Sequence, residues 1–113
     1  LHMGVFMKPR QRGAQIQTVL DAINKDIKYC IVAGDFNTIK EKDEEEIIRV
    51  FSESHFTHAT SNVDWTYKHW YFLNYKSTFD HIFVRGPKVL NAGKIDNLSP
   101  SDHLPVWAEF SLE

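Results

Sequence analysis

Apolar residues recur at helical spacing between Arg12 and Ile27. Ile16, Val19, Leu20, Ile23 and Ile27 fall on one side, and Gln15, Gln17, Asp21, Asn24 and Lys25 on the other. The pattern predicts an amphipathic helix covering one side of a sheet. Before it, Leu1 to Phe6 reads as a short strand. After it, Lys28 to Ala33 reads as a buried strand that stops at Gly34. Strand, helix, strand in that order implies a right-handed crossover between parallel neighbours. Thr38 to Lys42 is then a loop. Asp43 is the expected N-cap of a short helix, with Glu44, Glu45 and Glu46 in its first turn, where the helix dipole favours negative charge. Ile47, Ile48, Val50 and Phe51 give that helix its apolar face.

The second half reads as β structure. Phe56 to Ala59 is a short strand candidate. In Thr78 to Arg85, Phe79, His81 and Phe83 alternate with Asp80, Ile82 and Val84, so both faces are largely apolar and both should be covered. A carboxylate inside such a strand is costly unless paired, so Asp80 is expected to have a dedicated partner. Gly86-Pro87 ends this strand, and Lys88 to Ile95 forms another. Val106 to Leu112 closes the fold, with Val106, Ala108, Phe110 and Leu112 facing inward. With no repeats, low-complexity segments or linkers, residues 1–113 are read as one α/β (α+β) domain.

Composition narrows the function classes. A hydrophobic content of 42% supports a real core, and a net charge of −2 leaves no general basic footprint for nucleic acid. An anionic substrate would therefore need a local cluster or a metal ion. The single cysteine, Cys30, excludes an internal disulfide and sits in an apolar run as a small hydrophobe. No apolar stretch approaches membrane-spanning length.

Three stretches carry candidate chemistry. Gly34-Asp35-Phe36-Asn37 follows an apolar run, and extended alternation would place Asp35 and Asn37 on one side, able to orient a water or a phosphate oxygen. A simple turn is the other reading of these residues. Asp80 is the charge within the strand above. Ser99-Pro100-Ser101-Asp102-His103-Leu104-Pro105 sets an Asp-His pair in a loop before the last strand. His55, His58 and Asp64 could suggest zinc, but no cysteine or third histidine stands at ligand spacing, so zinc is disfavoured. The aromatic run from Trp65 to Tyr75, with Lys68, His69 and Lys76, suits either base stacking or packing at the core and rim.

The order Gly34-Asp35-Phe36-Asn37, Asp80 in a β run, then Ser101-Asp102-His103-Leu104-Pro105 resembles the endonuclease/exonuclease/phosphatase (DNase I-like) superfamily of metal-dependent phosphoesterases. Arg12 to Gln15 resembles its Arg-x-x-Gln helix start, and Asp64-Trp65-Thr66-Tyr67 its segment before the next strand. The resemblance implies two sheets packed face to face with helices outside, a four-layer α/β/β/α sandwich. This chain matches the C-terminal half: one mixed sheet with helices on its outer face. It implies hydrolysis of a phosphodiester or phosphomonoester, with nucleic acid, lipid or inositol phosphates as substrate classes. Asp35 would orient or deprotonate the attacking water, and Asn37 would bond that water or a phosphate oxygen. His103 would contact the phosphate, held by Asp80, and His2 would be a second phosphate-contacting histidine. Asp102 and Asp35 would bind Mg²⁺ or Mn²⁺. The family's N-terminal half, with an asparagine and its principal metal-binding glutamate, has no counterpart here. The isolated chain is therefore expected to be weak or inactive. Its inner sheet face would need cover from a homodimer partner or from the missing half. The alternative is a non-catalytic remnant or interaction module that keeps the fold motifs.

Overall fold

The computed structural model describes residues 2–4, 7–69, 75–96 and 103–112. Helix α1 spans Pro9–Ala22, with proline in its first turn, where a missing N–H costs nothing. It starts earlier and ends earlier than the apolar spacing predicted. Ile23 is already extended, and Asn24 Oδ1 accepts the Asp26 N–H at 2.9 Å in a local turn that competes with the helix. Ile27 is consequently exposed and plays no part in the helical face. Strand β1, Cys30–Asp35, follows, then helix α2, Glu41–Glu53. Asp43 is not the N-cap. It sits one turn in, and its carboxylate accepts the Lys40 N–H at 3.3 Å.

The remaining elements are strands: β2 (Thr57–His58), β3 (Tyr67–His69), β4 (Tyr75–Ser77), β5 (Asp80–Arg85), β6 (Lys88–Lys94) and β7 (Val106–Ser111). The mixed α+β class holds. The strands do not form one uninterrupted sheet, however. β5 lies between β1 and β2, β3 pairs with β4, and β6 pairs with β7, each ladder antiparallel. Parallel pairing of the N-terminal segment with β1 is present at one point, His2 beside Asp35, where the Met3 N–H donates to the Asp35 carbonyl at 3.0 Å. Single hydrogen bonds tie the ladders together, including Phe36 N–H to Phe79 O at 2.7 Å and Leu104 N–H to Thr66 O at 2.7 Å.

The core lies between the two helices and one face of β5. Ile16 and Leu20 of α1, Ile47, Val50 and Phe51 of α2, and Phe36, Phe56 and Phe83 form one buried cluster with Met3. Phe51 stacks on Phe83 at 3.9 Å, and Phe36 meets both rings edge-on at 5.8 and 5.7 Å. Burial of each such ring contributes about 1.5–3 kcal/mol. The helices pass close at Gly13 of α1, where a Cβ would meet the Glu46 side chain. Gly86 joins β5 to β6 at φ 101°, and a Cβ there would strike the Lys28 carbonyl.

The opposite side is less complete. β1 alternates, with Ile31 53% exposed, so it is not buried on both faces as its apolar run suggested. Leu90, Trp107 and Leu112 are also exposed, Leu112 against the inward face expected of it. No helix among the described residues is long and apolar enough to cross a membrane.

Candidate active site

The site grows out of the register between β1 and β5. Their ladder ends with Asp35 directly opposite Asp80. Like charges facing across a ladder repel, and here an imidazole stands against both. His103 Nδ1 lies 2.8 Å from Asp80 Oδ2, and Nε2 lies 3.7 Å from Asp35 Oδ2. A carboxylate only accepts, so the Nδ1 proton is donated to Asp80 and Nε2 is turned to the Asp35 side. One backbone bridge, Tyr67 beside His103, and ring contacts with Tyr67 at 5.0 Å and Phe79 at 5.7 Å hold the imidazole in place.

Asp35 is fixed by the aromatic residue after it. Phe36 is fully buried among Phe51, Phe83 and His81, and its carbonyl accepts from Arg12 Nη1 at 2.6 Å. Arg12 is itself fully buried and paired with Asp43 at 3.4 Å, so this charge at the start of α1 is an internal strut. Past Phe36 the chain leaves the strand. Asn37 adopts φ 48°, a left-handed conformation that asparagine tolerates, and its N–H donates to Asp35 Oδ1 at 2.9 Å. Its side-chain amide donates to the Met3 carbonyl. The simple alternation expected of Asp35 and Asn37 therefore stops at Asp35. Asn37 braces the N-terminal segment against the strand end, beside Asp35 rather than parallel to it.

His2 closes the other flank, with Nε2 3.8 Å from the same Asp35 Oδ2 that faces His103, and it is largely solvent-exposed. Four of the six residues singled out from sequence thus meet at one point: His2, Asp35, Asp80 and His103. Asn37 adjoins them, and Asp102 lies outside the described residues. Nor does the cleft of about 420 Å³ between the helices, lined by Leu20, Lys25, His55 and Arg85 among others, include any of these residues.

A second histidine pair lies on the helix side of β5. His81 is fully buried, its Nε2 2.9 Å from the Thr78 carbonyl, which can only accept, so that nitrogen carries the proton. Nδ1 is then an acceptor, and His58 Nε2 donates to it at 3.0 Å. Burial pushes the His81 imidazole down to about 3, with neighbouring His58 adding to the effect, and pushes His58 down to about 4. His58 is thereby committed to a neutral internal bond, which removes it from the zinc reading.

Comparison with known proteins decides the family. The model of the endonuclease/exonuclease/phosphatase family matches residues 3–103, from the segment braced by Asn37 to the histidine between the two aspartates. The chain belongs to that family. Solved structures that share the fold include the following two. A functionally unknown conserved protein from Enterococcus faecalis V583 matches with TM-score 0.69 and 20% identity, covering 100% of this chain and 48% of that one. An endonuclease/exonuclease/phosphatase family protein from Leptotrichia buccalis C-1013-b matches with TM-score 0.65 and 22% identity, covering 88% and 41%. The chain thus spans less than half the length of these structures. No curated protein matches significantly.

For this family member, the donor atoms of Asp35, Asp80 and His103 lie within 4.8 Å of one another, a possible metal-holding group. Within it, Asp80 Oδ2 and His103 Nδ1 already satisfy each other at 2.8 Å. Asp35 turns its Oδ2 toward both His2 and His103, at 3.8 and 3.7 Å.

Proposed function

We propose that this chain carries the histidine-aspartate portion of a divalent-metal-dependent phosphoesterase site. The observation that carries the reading is the His103 imidazole, its Nδ1 bonded to Asp80 and its Nε2 turned to Asp35. In phosphoester hydrolysis a water oxygen forms a bond to phosphorus as the ester P–O bond breaks, and the leaving oxygen gains a proton. Asp35 Oδ2 orients the attacking water. His103 Nε2, when the ring is protonated, donates to a phosphoryl oxygen, with Asp80 fixing the orientation of the ring and balancing its charge. His2, on the far side of Asp35, supplies a second contact to phosphate, and Asn37 keeps the Asp35 carboxylate in place through its N–H. Asp35, joined by Asp102, would hold Mg²⁺ or Mn²⁺, which when bound neutralises charge on the phosphoryl group. The substrate is a phosphodiester or phosphomonoester, nucleic acid included.

The exposed Ile31, Leu90 and Trp107 suit a covering partner, either a second copy of this chain or the other half of a family domain. Hydrolysis of bis(p-nitrophenyl) phosphate in Mg²⁺ or Mn²⁺ tests the reading. EDTA should abolish it, and His103→Ala or Asp35→Asn should lower it by about 10²–10⁴-fold. Hydrolysis indifferent to EDTA and to both substitutions would overturn the assignment. A folded chain that binds a partner without hydrolysing anything would favour the interaction module.

A further inference from the structure

We propose that Thr66 is a positioning residue for the Asp80–His103 pair, an assignment that rests on the phosphoesterase reading of that pair. Asp80 and His103 come from segments 23 residues apart, yet their side chains must meet within a few tenths of an ångström. Thr66 touches the backbone of both segments. Its hydroxyl oxygen accepts the Phe79 N–H at 2.9 Å and the Asp80 N–H at 3.1 Å, at the start of β5. Its carbonyl accepts the N–H of Leu104, the residue after His103, at 2.7 Å, and its own N–H donates to Ser77 O at 2.9 Å.

The side chain is fully buried, so solvent cannot replace the hydroxyl if it is lost. Its γ-oxygen sets where Asp80 leaves the turn, and its main chain sets where His103 enters. One rigid residue therefore defines the separation of donor and acceptor. Tyr67, the residue after Thr66, stacks its ring on Phe79 at 4.6 Å, a second contact between the same two segments. Thr66 touches neither reacting atoms nor phosphate. It acts only through Asp80 and His103.

The test reads the His103 Nδ1–H proton by NMR on the full chain, identified by its loss in His103→Gln. Thr66→Val should abolish or greatly weaken that resonance, as should Asp80→Asn, while Thr66→Ser, which keeps the hydroxyl, should retain it. Where hydrolysis is measurable, Thr66→Val should lower kcat by about ten- to a hundredfold with little change in KM, and Thr66→Ser should restore it. A folded Thr66→Val protein with an undiminished His103 resonance would overturn the proposal. Should Thr66→Val not fold, amide exchange in the unmodified chain decides. Slow exchange at Phe79, Asp80 and Leu104 supports the role, and fast exchange at Asp80 or Leu104 overturns it. If the resonance behaves as expected but no variant affects hydrolysis, the phosphoesterase reading fails and the bracing role of Thr66 stands.

Discussion

The two sides of β5 use the same side chain for opposite ends. On the helix side, His81 is sealed beneath Phe36 and Phe83, donates to a backbone carbonyl and accepts from another histidine. At the rim, His103 donates to a carboxylate and is about one-third exposed, with its second nitrogen turned to Asp35. The first arrangement leaves no charge and no open atom for chemistry. The second holds a carboxylate partner on one nitrogen and leaves the other turned to a second carboxylate at a partly exposed edge. The acceptor and the access to water decide the role, not the residue type.

Substitutions on the two sides should separate stability from chemistry. The largest stability effect is expected at the strut beneath the rim. Asp43→Ala leaves the fully buried Arg12 without its carboxylate and should cost about 3–5 kcal/mol, measured by urea unfolding. Next is His81→Ala, which opens a cavity and removes one hydrogen-bond partner each from Thr78 O, Thr38 Oγ1 and His58 Nε2. It should cost about 2–4 kcal/mol by the same measurement. His103→Ala, at the half-exposed rim, should shift the unfolding midpoint far less than either while removing most of any hydrolysis. Equal destabilisation by His81→Ala and His103→Ala would break the comparison.

The same comparison predicts a pH dependence. The folded-state values of His81 and His58 lie at about 3 and about 4, below the ordinary 6.5. As pH falls below about 6.5 the unfolded chain binds protons that the folded histidines refuse. Stability contributed by this neutral pair is therefore complete above that pH and is lost progressively as pH falls toward 3. Urea midpoints at pH 7 and pH 4.5 should show a smaller loss in His58→Gln than in the unmodified chain. An unchanged loss would show that the acid sensitivity comes from elsewhere.

Much of this was readable in the order of residues. Gly34-Asp35-Phe36-Asn37, the lone Asp80 and the Asp102-His103 loop marked the family, and apolar periodicity located both helices and the long strands. Legibility failed where tertiary contacts override local pattern. Arg12 looks like a surface charge until Phe36 O and Asp43 enclose it. Asn37 breaks alternation because its amide finds Met3 O, a partner 34 residues away. Ile27 fits the helical spacing, yet Asn24 turns the chain before it. Thr66 carried no signal beyond its place in a motif, since a hydroxyl that accepts two amides looks in sequence like any other threonine. Alternation groups His81 with Phe79 and Phe83, but its pairing with His58 depends on strand register, which periodicity does not specify.

The central claim is that chemistry belongs to the rim and not to the buried histidine pair. The most direct test is a titration of the full chain with Mg²⁺ and inorganic phosphate, followed through its histidine ring resonances by NMR. The account predicts saturable shifts at His103 and His2 that EDTA reverses, with His58 and His81 unmoved. Shifts confined to His58 and His81, or none at His103 in a folded chain, would contradict it.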